Sequence, residues 1–208
     1  MSETKLVINF ILDNSASMKG ERGEKFKSAL LTFDENLKKS GLDNRIEYAI
    51  VIFKGFYPAI LKNYNDELNV EKLHFGGIPY VGDAINAGIQ NLFSRVSNLL
   101  NEGYSIYKPW TIVLLNGENY DNVENVSNIL LQHLKDGKTS YFPFALTDCE
   151  FDLSLSQLRK IKSFTIIKDE MYTSMFNWIL EFGKNRVLTP AGETITFNPQ
   201  LFEGWTVK

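Results

Sequence analysis

The segment Asp13, Asn14, Ser15, Ala16, Ser17 places one carboxylate and two hydroxyls within five positions. Hard oxygen donors of this kind suit Mg²⁺ or Mn²⁺, and a loop that turns back on itself can aim Ser15 and Ser17 the same way. The same residues also serve a loop that holds no ion: Asp13 can accept backbone amides, and the two serines can satisfy turn or helix-start donors. Two other segments combine polar and glycine residues, Gly76 to Gly82 and Asn116 to Asp121. The glycines Gly76, Gly77 and Gly82 do not make a phosphate cradle. No Lys follows in a GxxxxGK pattern and no GxGxxG follows the first apolar run, so nucleotide binding is not expected.

The remaining reactive side chains have plainer readings. His74 and His133 are isolated from any zinc-spaced set and read as surface or packing histidines. Cys149 has no nucleophile signature around it and reads as a small apolar residue. Asp148, Glu150 and Asp152 read as an acidic, solvated loop. Neither Ser15 nor Ser17 sits in a GxSxG elbow or has a His placed to activate it, so a hydrolase ranks last among the functions.

Loops of this kind need elements to hold them. The run Leu6 to Leu12 reads as a strand buried on both faces that stops at Asp13. Phe26, Ala29, Leu30, Phe33 and Leu37 recur at helical spacing over Lys25 to Lys39. Ile46 to Phe53 reads as a strand, with Tyr57 to Leu61 its hairpin partner after the Gly55 turn. A short helical turn is expected within Leu68 to Leu73 and a long helix over Asp83 to Leu100. Trp110 to Leu115 is a uniformly apolar strand that stops at Asn116. Helix and strand then alternate: Asn122 to Leu134, Tyr141 to Leu146, Ser154 to Ile161, Phe164 to Ile167, and a last helix from Met171 to Phe182. Such alternation predicts an α/β fold, a doubly wound, mostly parallel sheet with helices on both faces and one antiparallel edge strand. Ligands of such sheets bind beyond the carboxyl ends of the strands, which is where the three loops lie.

With 208 residues the chain suits one domain, expected over 1–184, with a tail over 185–208. The tail carries Phe197, Phe202 and Trp205, which as a group are expected to fold back on the domain, with one short strand at Thr194 to Phe197. Apolar residues make up 44% and charged residues 23% of the chain, as in ordinary soluble domains. A net charge of −3 and no basic run longer than Lys38, Lys39 argue against nucleic acid as a partner. A single cysteine forms no internal disulfide. Leu6 to Leu12 is too short to span a bilayer and lacks the basic flank of a signal peptide, so the expected place is the cytoplasm, with no membrane partner.

The Asp13, Ser15, Ser17 pattern resembles the DxSxS motif of von Willebrand factor A (vWA) domains. Coverage runs from Thr4 to Phe182, and the order of elements, the Gly-Gly segment before the middle helix and the apolar strand ending in a Gly-Glu loop match in sequence order. Lys108, Pro109, Trp110 and the spacing of Gly117, Glu118 and Asp121 look most like the bacterial TerY type. The resemblance implies that Asp13, Ser15 and Ser17 belong to a metal-ion-dependent adhesion site, in which a divalent cation completes its shell with a partner's carboxylate. It also implies a role in stress response and tellurite resistance beside kinase-like and phosphatase-like partners.

The departures are specific. The family's metal-binding Thr falls on Pro79 or, with one residue inserted, on Ile78, and neither side chain offers an oxygen. The family's Asp before the Gly of the third loop is Asn116, which leaves it a role behind a metal-bound water. Three of the five metal-site positions survive, so a degenerate site without a cofactor is expected, with Mg²⁺ or Mn²⁺ the alternative. The expected function is a non-enzymatic adaptor that binds another protein through Asp13, Ser15, Ser17, Pro79, Tyr80, Asn116, Glu118 and Tyr120, with Tyr57 near the same rim. Metal-dependent adhesion through a residual site is the alternative function.

Overall fold

The apolar runs become strands because residues alternating along each can be buried on both faces of one sheet. A computed structural model of the chain describes residues 3–53, 57–117, 119–147, 155–190, 193 and 205–207. The strands are β1 Thr4–Leu12, β2 Ile46–Ile52, β3 Ala59–Lys62, β4 Ser105–Ile106, β5 Trp110–Leu115, β6 Ser140–Leu146, β7 Thr165–Ile167 and β8 Thr206–Val207. The helices are α1 Glu21–Lys39, α2 Val81–Asn101, α3 Glu124–Lys135, α4 Ser156–Ile161 and α5 Tyr172–Leu188, and the turn expected after Leu68 is a 3-10 turn over Val70–Lys72.

The strands join in the order β3-β2-β1-β5-β6-β7-β8, with the short β4 pairing beside the start of β1. Every pairing among β2, β1, β5, β6 and β7 is parallel. β3 is the expected antiparallel edge, on β2. At the other edge the two-residue β8 adds an antiparallel pairing with β7. Two residues are too few for a periodicity to announce them, and the same holds for β4.

From β1, the side chains of Leu6, Ile8, Phe10 and Leu12 enter the core under α1 and α5, while Ile11 enters the one under α2, α3 and α4. The first core holds an aromatic cluster in which Phe10 meets Phe33 and Tyr48 edge-on at 5.4 and 5.9 Å. Among the described residues no helix is long and apolar enough to cross a membrane.

Two helix limits differ from the sequence reading by a turn or more, and both lie beside a glycine. α1 starts at Glu21, one turn before Lys25, because Gly20 at φ 77° turns the chain into the helix. Gly23 is buried inside that helix where a Cβ would lie 2.4 Å from the Phe75 ring. α5 continues past Phe182, and past residue 184, to Leu188. Gly183 does not end it: it lies over Leu6 and Ile46, and the helix stops where Thr189 turns extended ahead of Pro190. Trp205 packs edge-on to Phe144 and Trp178 at 5.7 and 5.9 Å. The Gly55 turn, Cys149 with its acidic neighbours, Ser154, the Thr194 to Phe197 strand and Phe202 lie outside the described residues.

Candidate functional site

β1 and β5 are neighbours, and the chain winds to opposite sides from them, so the strand order reverses between their carboxyl ends. Asp13 stands at that point. Its amide continues the ladder by donating to the Leu114 carbonyl at 3.1 Å. Its carboxylate is buried and accepts from two main-chain amides, Ser15 N–H on Oδ1 at 2.7 Å and Asn116 N–H on Oδ2 at 2.9 Å. Burial pushes the Asp13 carboxyl above its ordinary range, and its hydrogen bonds to Ser15 and Asn116 partly offset that rise. Asp13 thus pins the first loop to the third.

The serines extend the same link. Ser15 and Ser17 hydroxyl oxygens lie 2.8 Å apart, Ser15 buried and Ser17 exposed. Ser17 Oγ donates to the Asn116 carbonyl at 2.8 Å and accepts from Asn116 Nδ2 at 3.1 Å. Asn116 Oδ1 then accepts from Arg22 Nη1 at 3.1 Å, and Arg22 Nε donates to Asp169 Oδ2 at 2.8 Å. Neither Arg22 nor Asp169 was singled out in the sequence. They are 147 positions apart, one in the first turn of a helix and one in an acidic pair, and no local spacing joins them.

The second loop is fastened by its backbone. Asn14 carbonyl accepts from Gly76 and Gly77 amides at 2.8 and 3.2 Å, and Pro79 carbonyl accepts from the Tyr120 amide at 3.0 Å. The third loop caps α2 from outside the helix: Asn119 Oδ1 accepts Val81 N–H, and the two Asp121 oxygens accept Gly82 and Asp83 N–H at 3.0 and 2.8 Å. Gly82 is required there, since a Cβ would lie 2.8 Å from the Asn122 carbonyl oxygen.

Between the three loops lies a cleft of about 590 Å³, lined by Ser15, Ser17, Arg22, Ile78, Pro79, Tyr80, Asn116, Gly117 and Tyr120. Six of the expected partner-binding residues therefore line one cavity: Ser15, Ser17, Pro79, Tyr80, Asn116 and Tyr120. Asp13 lies beneath it, and Glu118 is outside the described residues. Tyr57 is highly exposed and does not line the cleft. His74 is exposed, and His133 packs edge-on to Phe93 at 4.6 Å.

Mg²⁺ and Mn²⁺ need near-octahedral oxygens and dehydrate reluctantly. Both Asp13 oxygens accept main-chain amides, and the serine hydroxyls are committed to each other and to Asn116. Ile78 and Pro79 supply no side-chain oxygen, and the one oxygen of the Asn116 amide faces a guanidinium. In this arrangement, with the Asn116 amide turned to Arg22, these residues do not fit a divalent ion.

No family model and no curated protein sequence matches the chain. Solved structures do match. The vWF domain of the type V pili tip protein Mfa5 from Porphyromonas gingivalis superposes with a TM-score of 0.65 at 10% identity, over 93% of this chain and 99% of that one. The SpRpn10 VWA domain gives 0.58 at 12% identity, over 84% and 95%. Proximal thread matrix protein 1 from the mussel byssus gives 0.60 at 13% identity, over 86% of this chain and 48% of that one, so the chain spans about half of that protein. At such identities the likeness concerns architecture alone, and on architecture it is consistent: the chain has the α/β fold of the von Willebrand factor A domains.

Proposed function

We propose that the chain is a non-enzymatic protein-interaction module, an adaptor or scaffold that binds another protein through the loop face around Asp13, Pro79 and Asn116. The observation that carries this reading is the rim of the cleft. Ile78 is 43% and Tyr120 60% exposed, and they flank a polar floor of Ser17, Asn116 and Arg22 at the point where the strand order reverses. Large apolar side chains around a hydrogen-bonding floor make a protein-binding surface. The vWA fold is commonly used for such interaction. The TerY-like sequence features support a place in a bacterial stress-response or defence assembly in the cytoplasm, with kinase-like or phosphatase-like partners.

Affinity capture with three variants tests the face. Ile78→Asp and Tyr120→Arg change the rim, whereas Leu100→Asp changes an exposed apolar residue at the far end of α2. A partner lost by the two rim variants and kept by Leu100→Asp is the expected result. A partner kept equally by all three ends the proposal.

A further inference from the structure

The guanidinium of Arg22 reaches the heads of β1 and β5 from the first turn of α1. Nη1 donates to Asn116 Oδ1 at 3.1 Å and lies 3.5 Å from the Ser17 carbonyl oxygen, while Nε is held by Asp169 at 2.8 Å. One cation thus ties the loop after β1, the loop after β5 and the turn ahead of α5. We propose that Arg22 does the work of joining these loops that a divalent ion would do in this fold, so that the loop face is assembled by a covalently attached cation and works without metal. What the face is for rests on the interaction-module reading; the role of Arg22 does not.

The departures from the metal-site pattern form one set when Arg22 is placed among them. At Asn116 the amide uses both ends in opposite senses, Nδ2 donating to Ser17 Oγ at 3.1 Å and Oδ1 accepting from Arg22. A carboxylate has no donor for Ser17, so the amide is the group that joins hydroxyl to guanidinium. At Pro79 the side-chain oxygen is gone, and the main-chain carbonyl joins the second loop to the third through the Tyr120 amide. A guanidinium suits the exchange because it is planar, permanently charged and more weakly hydrated than an ammonium.

The test needs no partner, so its failure is distinct from failure of the interaction-module reading. Mn²⁺ is titrated into wild type, Asn116→Asp, and Asn116→Asp combined with Arg22→Ala, with binding read by electron paramagnetic resonance and by the melting midpoint. Wild type and Asn116→Asp are expected to bind no Mn²⁺ at millimolar concentration, because Arg22 is in place. The double variant is expected to bind Mn²⁺ and to melt a few degrees higher with it, an effect removed by Ser15→Ala. Ser15-dependent Mn²⁺ binding by wild type or by Asn116→Asp alone overturns the proposal, since the face would then take metal with the guanidinium still present. Silence of the double variant overturns it too, because something other than Arg22 would be excluding the ion. If the Ala variant does not melt cooperatively, Arg22→Gln in the Asn116→Asp background gives the same readout.

Discussion

Glu47 shows how strongly a single residue can be committed in this chain. Its carboxylate is 7% exposed and accepts from Lys5 Nζ and Arg95 Nε, each at 2.7 Å, joining β1, β2 and α2. Burial pushes the Glu47 carboxyl up, but the hydrogen bonds and charges of Arg95 and Lys5 outweigh it and hold the group below its ordinary 4.5. Between the lowered value and 4.5 the unfolded chain binds more protons than the folded one, so stability rises with pH across that window and is lost below it. Glu47→Gln is therefore expected to cost about 3 kcal/mol at neutral pH, by leaving the buried Lys5 and the partly buried Arg95 underpaired. The gap should narrow as pH falls through the acid window in urea titrations. A gap that stays constant into acid would contradict the assignment. At this scale the sequence displayed Asp13, Ser15 and Ser17, because three oxygen-bearing residues in five positions are visible as a pattern. Arg22, Asp169, Lys5 and Arg95 were not visible, because their partners lie far away along the chain and only the folded sheet brings them together.

At the scale of elements the legible part was periodicity, and the misread part was glycine. Trp110–Leu115 and the body of α2 follow from apolar spacing, whereas the start of α1 and the end of α5 hid behind Gly20, Gly23 and Gly183. A glycine can end a helix or let it pass close to a neighbour, and composition does not separate the two. Packing does. At Gly88, in the middle of α2, a Cβ would lie 2.6 Å from both Asn9 Nδ2 and Ile11 Cδ1. At Gly183 the nearest atom would be 3.5 Å away, an ordinary contact. Gly88→Ala is expected to destabilise by about 1–3 kcal/mol, because α2 must move off β1. Gly183→Ala should be neutral or stabilising by up to about 1 kcal/mol, through helix propensity. Equal effects of the two substitutions on the urea midpoint would show that neither glycine is there for close approach.

Across the whole molecule, the two ends of the sheet do different work. The Glu47 ion network binds strands and helix together near the amino end of β1, while the cleft sits beyond the carboxyl ends of β1 and β5, where the reversal of strand order opens a gap. That division was implicit in the alternation of elements, since a doubly wound sheet must have such a point. What it left open was how the last residues attach. β8 extends the sheet by pairing with β7, and Trp205 joins the aromatic layer that Phe144 and Trp178 form under α5. Two ladder residues hold little by themselves, so the indole is what fastens this segment. Trp205→Ala is expected to lower stability by about 2 kcal/mol, less than for a fully buried tryptophan because the residue is partly exposed. Tyr57→Ala, at an 81% exposed ring, should stay within about 0.5 kcal/mol. If the urea midpoints of the two variants shift alike, the segment around Trp205 is an attachment to the domain; if only Trp205→Ala shifts, the domain's core includes it.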